Sequence, residues 1–391
     1  MSIDILRRVL PLSAALLLAA CGLQPTFPVG DPCVADGFTV TDDFTGARRG
    51  ACTVLAPNHV QLDIRPEDEG KINNSPWFAF RIAPSAAGTA TVTLSYAGGS
   101  HRYWPKISAD GQNWQRLPED SVTVADDSLR ADLVIPLTGE AVFVSAQEFI
   151  TPIVYDAWNR KVAATTGIPM YELGKSLEGR AIHAFDSNAE SKEVLLMIGR
   201  QHPPEVSGAV AFFAFTETVF GDSGLAEQFR ERFRVIAIPL MNPDGVVAGH
   251  WRHNRGSLDI NRDWGPFTQP ETQLVAGLLD EFDAGGASLR MFVDFHSTDR
   301  NTFYAQQEPT EPPDFTRTWL GNAEPKVSDY PFTNEESPTE NPAVAKNYIY
   351  ARYGIPAVTF EAGDETDREA LQAAAVIFAE ELMRLMLVQG Y

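Results

Sequence analysis

Hydrophobic and polar residues alternate with a period of two over His59–Ile64, Trp77–Ile82, Thr89–Tyr96, Leu129–Ile135 and Ala141–Val144. That period places successive side chains on opposite faces, so each stretch predicts a half-buried strand. Short strands punctuated by Gly and Pro predict an antiparallel β-sandwich over 36–148. Asp110-Gly111, lying between Lys106-Ile107-Ser108 and Trp114-Gln115-Arg116, adds a hairpin signal. Beyond a helix near Ile150–Ala164 the pattern changes. Uninterrupted apolar runs at Glu193–Ile198, Phe233–Leu240, Leu289–Phe295 and Ala357–Phe360 alternate with helical stretches at Glu205–Val219, Glu271–Phe282 and Asp367–Leu387. Strands apolar on both faces and separated by helices predict an α/β domain over 149–391, with a central, mostly parallel mixed sheet flanked by helices. One stretch breaks the rhythm: residues 301–345 hold seven prolines and eight acidic residues, with only Arg317 and Lys326 basic. They read as a long irregular segment, either a solvated acidic loop or a functional one.

Composition narrows the class. With 31 Lys and Arg against 52 Asp and Glu, the 391-residue chain carries a formal charge of -21, which repels phosphate backbones and argues against nucleic acid as a partner. A hydrophobic share of 44% excludes a disordered acidic polymer. At the N-terminus, Arg7 and Arg8 precede an apolar run from Val9 to Ala20, too short to span a bilayer and therefore read as a signal peptide over 1–20. Leu18-Ala19-Ala20-Cys21 resembles the bacterial lipobox. The resemblance implies acylation of Cys21, a membrane contact through that lipid alone, a tether over 21–35 and a place in the bacterial cell envelope, on its periplasmic or extracytoplasmic face. Export leaves Cys33 and Cys52 as an even pair in an oxidising compartment, so a disulfide between them is expected.

The chemistry gathers at strand ends. The strand Glu193–Ile198 runs into Gly199-Arg200-Gln201-His202-Pro203-Pro204-Glu205, and Leu289–Phe295 delivers His296. Ligands in open α/β sheets sit at the carboxyl ends of strands, and imidazole with carboxylate suits Zn²⁺. His202, Glu205 and His296 are thus candidate ligands that leave a coordination position open. On its own, H-x-x-E is a weak signal. Between and beyond these residues lie Asn242-Pro243-Asp244-Gly245, Trp251-Arg252-His253-Asn254-Arg255, Asp259-Ile260-Asn261-Arg262 and Thr359-Phe360-Glu361.

In this order the motifs resemble the zinc metallocarboxypeptidases typified by carboxypeptidase A, across about 165–391. The preceding sandwich, around Asn58-His59-Val60 and Trp77-Phe78-Ala79-Phe80, is similar to that of the cytosolic carboxypeptidase branch and its bacterial relatives. The resemblance implies one Zn²⁺ on His202, Glu205 and His296, and Glu361 as general base and proton shuttle. It further implies Asp259 orienting His202, Asn261 and Arg262 binding the free C-terminal carboxylate of a peptide substrate, and Arg252 stabilising the oxyanion. Arg255 is the alternative to Arg252. The family's pocket-floor position falls on Lys346, which favours acidic C-terminal residues, whereas an acidic 301–345 segment lining the funnel would favour basic ones. Three departures stand out. Pro204 replaces a Gly, Phe295-His296-Ser297-Thr298 replaces a longer His-Gly-His-Ser pattern, and the substrate-closing tyrosine has no counterpart. Counting back from Glu361 reaches Thr339, and Tyr348, Tyr350 and Tyr353 lie close to the following strand.

The expected activity is removal of C-terminal residues from peptides. Two other readings stand beside it: an amidohydrolase acting on N-acyl amino acids or cell-wall muropeptides, and a non-enzymatic envelope module gripping ligand through Trp77, Trp104 and Trp114. Intact Glu361 and Asn261-Arg262 weigh against the module. His59, His101 and His183 fall outside the motifs, and His250 and His253 flank Arg252 without a required role.

Overall fold

A computed structural model describes residues 30–70 and 72–389; Cys21, the signal segment and most of the tether lie outside these residues. The first unit contains β1 (Cys33–Ala35), β2 (Phe38–Thr41), β3 (Ala51–Ala56), β4 (His59–Ile64), β5 (Ala79–Pro84) and β6 (Gly88–Tyr96), then β7 (Lys106–Ser108), β8 (Gln115–Arg116), β9 (Val122–Val124), β10 (Arg130–Leu137) and β11 (Val142–Ser145). They form two stacked sheets, ordered β1-β2-β5-β11-β7-β8 and β3-β4-β6-β10-β9. Every pairing is antiparallel except β4 with β6. The alternation seen in the sequence sends Val60, Leu62, Ile64, Val92, Leu94, Leu133 and Ile135 into the shared core. β7 and β8 make the hairpin around Asp110-Gly111, with Ile107 opposite Gln115. β1 begins inside the stretch read as tether. Cys33 and Cys52 are joined, their Cα atoms 6.0 Å apart, and the bond ties edge strand β1 of one sheet to edge strand β3 of the other.

The second unit runs α1 (Pro152–Thr166), β12 (Met170–Lys175), β13 (Ala181–Asp186), β14 (Glu193–Gly199), α2 (Val206–Phe220), α3 (Gly224–Arg232), β15 (Phe233–Ile238), α4 (Pro243–Ala248), α5 (Pro270–Gly285) and β16 (Ser288–Thr298). It continues with β17 (Thr302–Gln306), α6 (Phe315–Ala323), β18 (Thr333–Ser337), α7 (Ala345–Tyr353), β19 (Ala357–Gly363) and α8 (Arg368–Val388). The eight-stranded sheet has the order β12-β13-β15-β14-β16-β19-β17-β18, with β15, β14, β16 and β19 mutually parallel at its centre. Along β14, Leu195 and Met197 pack against α2 and α8, while Val194, Leu196 and Ile198 face α5 and α7. Burial on both faces explains why these strands read as continuous apolar runs. Among the described residues no helix is long and apolar enough to cross a membrane.

Residues 301–345 are not one long irregular segment: two strands and a helix punctuate the irregular connections. β17 pairs antiparallel with β19 and β18 extends the edge, while Phe303, Phe315, Trp319 and Tyr330 are buried in the main core. The charges of the segment lie outside: Glu335 pairs with Arg300, and Glu336 with Arg317.

A candidate metal centre at the carboxyl ends of the sheet

His202 and Glu205 occupy the tight passage from β14 into α2. Arg200 takes a left-handed backbone, φ 56°, and folds its guanidinium back so that Nε and Nη2 donate to the Pro203 carbonyl at 2.9 and 2.7 Å. The Asn242-Pro243-Asp244-Gly245 motif braces this turn from beneath. The Asn242 amide donates to the Gln201 carbonyl at 3.1 Å and accepts from Gly245 N–H at 2.9 Å, capping α4. α2 then lies against the strand that carries the third candidate ligand. A Cβ at Gly208 would stand 2.4 Å from the His296 carbonyl oxygen, so only glycine permits this approach.

Three donors converge. Glu205 places Oε1 2.7 Å from His202 Nδ1 and Oε2 2.7 Å from His296 Nδ1, and the two Nδ1 atoms stand 3.2 Å apart. Each imidazole has its far nitrogen on a carboxylate: His202 Nε2 lies 2.9 Å from Asp259, and His296 Nε2 2.8 Å from Asp294. A carboxylate at Nε2 draws the proton there and leaves the Nδ1 lone pair facing inward. All three residues are buried, and their ligand atoms lie within 4.8 Å of one another. Burial would raise Glu205, but His202 and His296 hold it well below the usual carboxylate range. Two imidazoles and a carboxylate with a cavity in front suit Zn²⁺ and leave a coordination position open.

Glu361 stands beside this set because β16 and β19 pair with His296 opposite Glu361. Its Oε2 is buried without a hydrogen-bond partner among the described residues, and burial pushes the carboxyl up to about 8 against the pull of His296. The cavity in front, about 340 Å³, is walled by Arg252, Asn261, Arg262, Tyr304, Lys346, Thr359 and Glu361 beside the three donors. Arg252 Nε donates to Asp259 at 2.6 Å, so one carboxylate orients both His202 and Arg252. Asn261 accepts from Ala345 N–H at 2.9 Å, joining its segment to α7. Lys346 is buried rather than on an open helix face, with Nζ 2.9 Å from the Asn347 side-chain oxygen, and burial lowers it to about 8 against the pull of Glu308.

Arg255 is a correction. Its Nε donates to Glu178 at 2.7 Å, outside the cavity lining, because Asn254 turns the chain away by binding Gln269 and Glu271. No acidic residue of the 301–345 segment lines the cavity; Tyr304 and Val344 are the segment's residues in its wall. Tyr304, on β17, is the phenol that reaches it. Thr339 binds Glu308 instead, Tyr348 packs on Trp264 and Phe267, and Tyr350 and Tyr353 donate to Pro309 and Leu279 carbonyls. Sequence reasoning also missed a buried chain in which Trp264 donates to Gln201 at 3.1 Å and Gln201 to Asp294 at 2.7 Å, behind His296. Asp294 had a signal, lying two positions before His296 and therefore on the same face of β16. Asn73, Ser75 and Arg102 from the sandwich unit had none, yet they complete the cavity wall.

The remaining aromatic and imidazole groups serve packing. Trp77 donates to Gly46, Trp104 to Leu117, and Trp114 packs edge-on against Phe149, so they form no exposed aromatic ledge. His59, His101 and His183 sit beside Thr93, Tyr96 and Asp156, and none of them lines the cavity. His250 is buried against the His253 carbonyl, and His253 meets Asp68.

The fold recurs in solved proteins. A metallo-carboxypeptidase from Burkholderia cenocepacia superposes with a TM-score of 0.75 at 18% identity, over 89% of this chain and 99% of that one. One from Pseudomonas aeruginosa, solved with (2-guanidinoethylmercapto)succinic acid, gives 0.72 at 22%, over 89% and 98%. An uncharacterized Zymomonas mobilis protein, ZMO1242, is 25% identical over 78% of this chain and 82% of its own length. Human cytosolic carboxypeptidase 4 is 32% identical over 28% of this chain, a span of only 10% of its own length. Residues 40–145 match the cytosolic carboxypeptidase N-terminal domain. Residues 155–377, more than half of the chain and the whole of the site in the second unit, match the zinc carboxypeptidase family, and the chain therefore belongs to that family of zinc peptidases.

Proposed function

We propose that the protein removes single residues from the free C-terminus of peptides at the cell envelope, with a tendency toward acidic ends. The observation that carries this reading is the contrast of charge in one cavity. Beyond the donor set and Glu361, every charged group in its lining is a cation: Arg102, Arg252, Arg262 and Lys346. A carboxylate is what such a wall recognises, and a guanidinium fork binds it in two places.

His202, Glu205 and His296 would hold Zn²⁺, which when bound would supply Lewis acidity and lower the pKa of water at the site. The protein's own residues do the rest. Glu361, held at a fixed distance from His296 by sheet register, takes the water proton and delivers it to the leaving amine. Arg252, fixed by Asp259, faces the negative charge that grows on the scissile carbonyl oxygen. Asn261 and Arg262 hold the terminal carboxylate, and Lys346 the side chain of the departing residue.

A peptide panel read by mass spectrometry tests this. Peptides with free C-termini are expected to lose one residue at a time, while the same peptides amidated react at least about a hundredfold more slowly, since Asn261 and Arg262 then meet no substrate carboxylate. Equal cleavage of both forms, or internal cleavage, contradicts the assignment of Asn261 and Arg262. Support for the envelope comes from the lipobox-like Leu18–Cys21 stretch and from the joined Cys33 and Cys52, a pairing typical of oxidising compartments. Cys21→Ser should move the protein from the membrane fraction to the soluble one; unchanged membrane retention rules out the anchor.

A further inference from the structure

Two neighbouring side chains leave the same backbone in opposite directions. Trp251 belongs to the peptidase unit by sequence, yet its ring is fully buried in the sandwich core, where Nε1 donates to the Trp77 carbonyl at 3.2 Å. Even a Cβ at Gly99 would come within 2.8 Å of that ring. Arg252 points the other way, into the metal cavity. The three peptide N–H groups of this crossing belong to no helix or strand. A single carboxylate gathers them: Glu67, on the loop between β4 and β5, accepts from Trp251 N–H at 2.7 Å, Arg252 N–H at 2.9 Å and His253 N–H at 2.6 Å. Its neighbour Asp68 binds His253 Nδ1 at 2.7 Å and the Ser257 hydroxyl at 2.8 Å.

We propose that Glu67 is a positioning residue for catalysis, through which the sandwich unit aims Arg252 at the reacting carbonyl. Two of these charge-assisted bonds, from Arg252 N–H and His253 N–H, set the peptide planes on both sides of the Arg252 Cα, and the third holds the peptide before them; those planes set where the Arg252 side chain starts. Asp259 then fixes where it ends, by the 2.6 Å bond to Nε. A guanidinium held at both ends needs no reorganisation as charge develops opposite it, whereas a displacement of about 1 Å in such a group can cost about a hundredfold in rate. Glu67 does not line the cavity and acts only through the backbone of Arg252. This role rests on the oxyanion function given to Arg252 above.

A double-mutant cycle with zinc-loaded protein, joined to amide hydrogen exchange, tests the proposal. Glu67→Ala is expected to lower kcat/KM on a free C-terminal peptide by about ten- to a hundredfold, chiefly in kcat, with zinc content unchanged. In an Arg252→Ala background the same change is expected to cost less than about twofold, because the group it positions is gone. Amides 251–253 should exchange faster in Glu67→Ala than in wild type, and Glu67→Gln, which keeps the shape and one acceptor oxygen, should fall between them by both measures. An equal loss with and without Arg252 overturns the link to catalysis, and unchanged exchange at 251–253 overturns the anchor. If Glu67→Ala does not fold, the same two criteria are applied to Glu67→Gln. Wild-type protein that cleaves no C-terminal residue would refute the proposed activity, while the exchange arm would still decide whether Glu67 holds this segment.

Discussion

Replacing Glu361 by Gln is expected to leave one equivalent of zinc on the protein and to lower kcat by about 10²–10⁴-fold, with KM little changed. The amide fills the same space and keeps a hydrogen-bonding oxygen, but it cannot accept a proton. His202, Glu205 and His296 are untouched by the change, which is why metal content and turnover should separate. Elemental analysis and steady-state kinetics on the same preparation measure both. Undiminished turnover removes Glu361 as the base, and loss of zinc shows that it contributes to binding the ion.

Lys346→Met should abolish a preference for acidic ends rather than activity as a whole. A buried ammonium facing a buried carboxylate loses about 3–5 kcal/mol when one partner is removed, so kcat/KM on Glu-ended peptides should fall by about 10²–10⁴-fold while Leu-ended peptides are spared. The wild-type pH profile carries the same signature. Burial lowers the folded pKa of Lys346 to about 8 against the pull of Glu308, so it is charged below that pH and neutral above it. The ratio of kcat/KM for Glu-ended over Leu-ended peptides is therefore expected to fall as pH rises through about 8. The Met variant should show no such fall. A wild-type ratio flat from pH 7 to 9, or equal losses on both peptides in Lys346→Met, would remove Lys346 as the selector.

Much of this architecture was legible because two signals are local. Runs such as Val194–Ile198 and Leu289–Phe295 are apolar on both faces, and the ligands follow directly at strand ends. His202 and Glu205 share one turn, and His296 sits at the end of its strand. What escaped depends on contacts between distant segments. In residues 301–345, isolated anchors such as Phe303 and Trp319 reach the core from a proline-rich background, and β17 exists because β19 pairs with it. Tyr304 therefore reached the cavity from a segment that resembled solvent-exposed loop. Arg252 and Arg255 were indistinguishable by residue type. Glu67, acting on Arg252, and Gln306, which accepts from Ala357 N–H, show no local pattern at all.

The burial of Trp251 in the neighbouring unit has a consequence for how the chain comes apart. A tryptophan of one unit that completes the core of the other cannot be withdrawn without opening a cavity of its own size there. Arg102 and Asp364 form a second bond across the same boundary, at 2.8 Å. The sequence divides near residue 149, but the sandwich core reaches past that division to take in Val206 and Trp251. The sandwich interior is not intact without the peptidase unit, so the sandwich is expected to melt together with that unit rather than on its own, and a peptidase unit without the sandwich would leave the Trp251 ring uncovered.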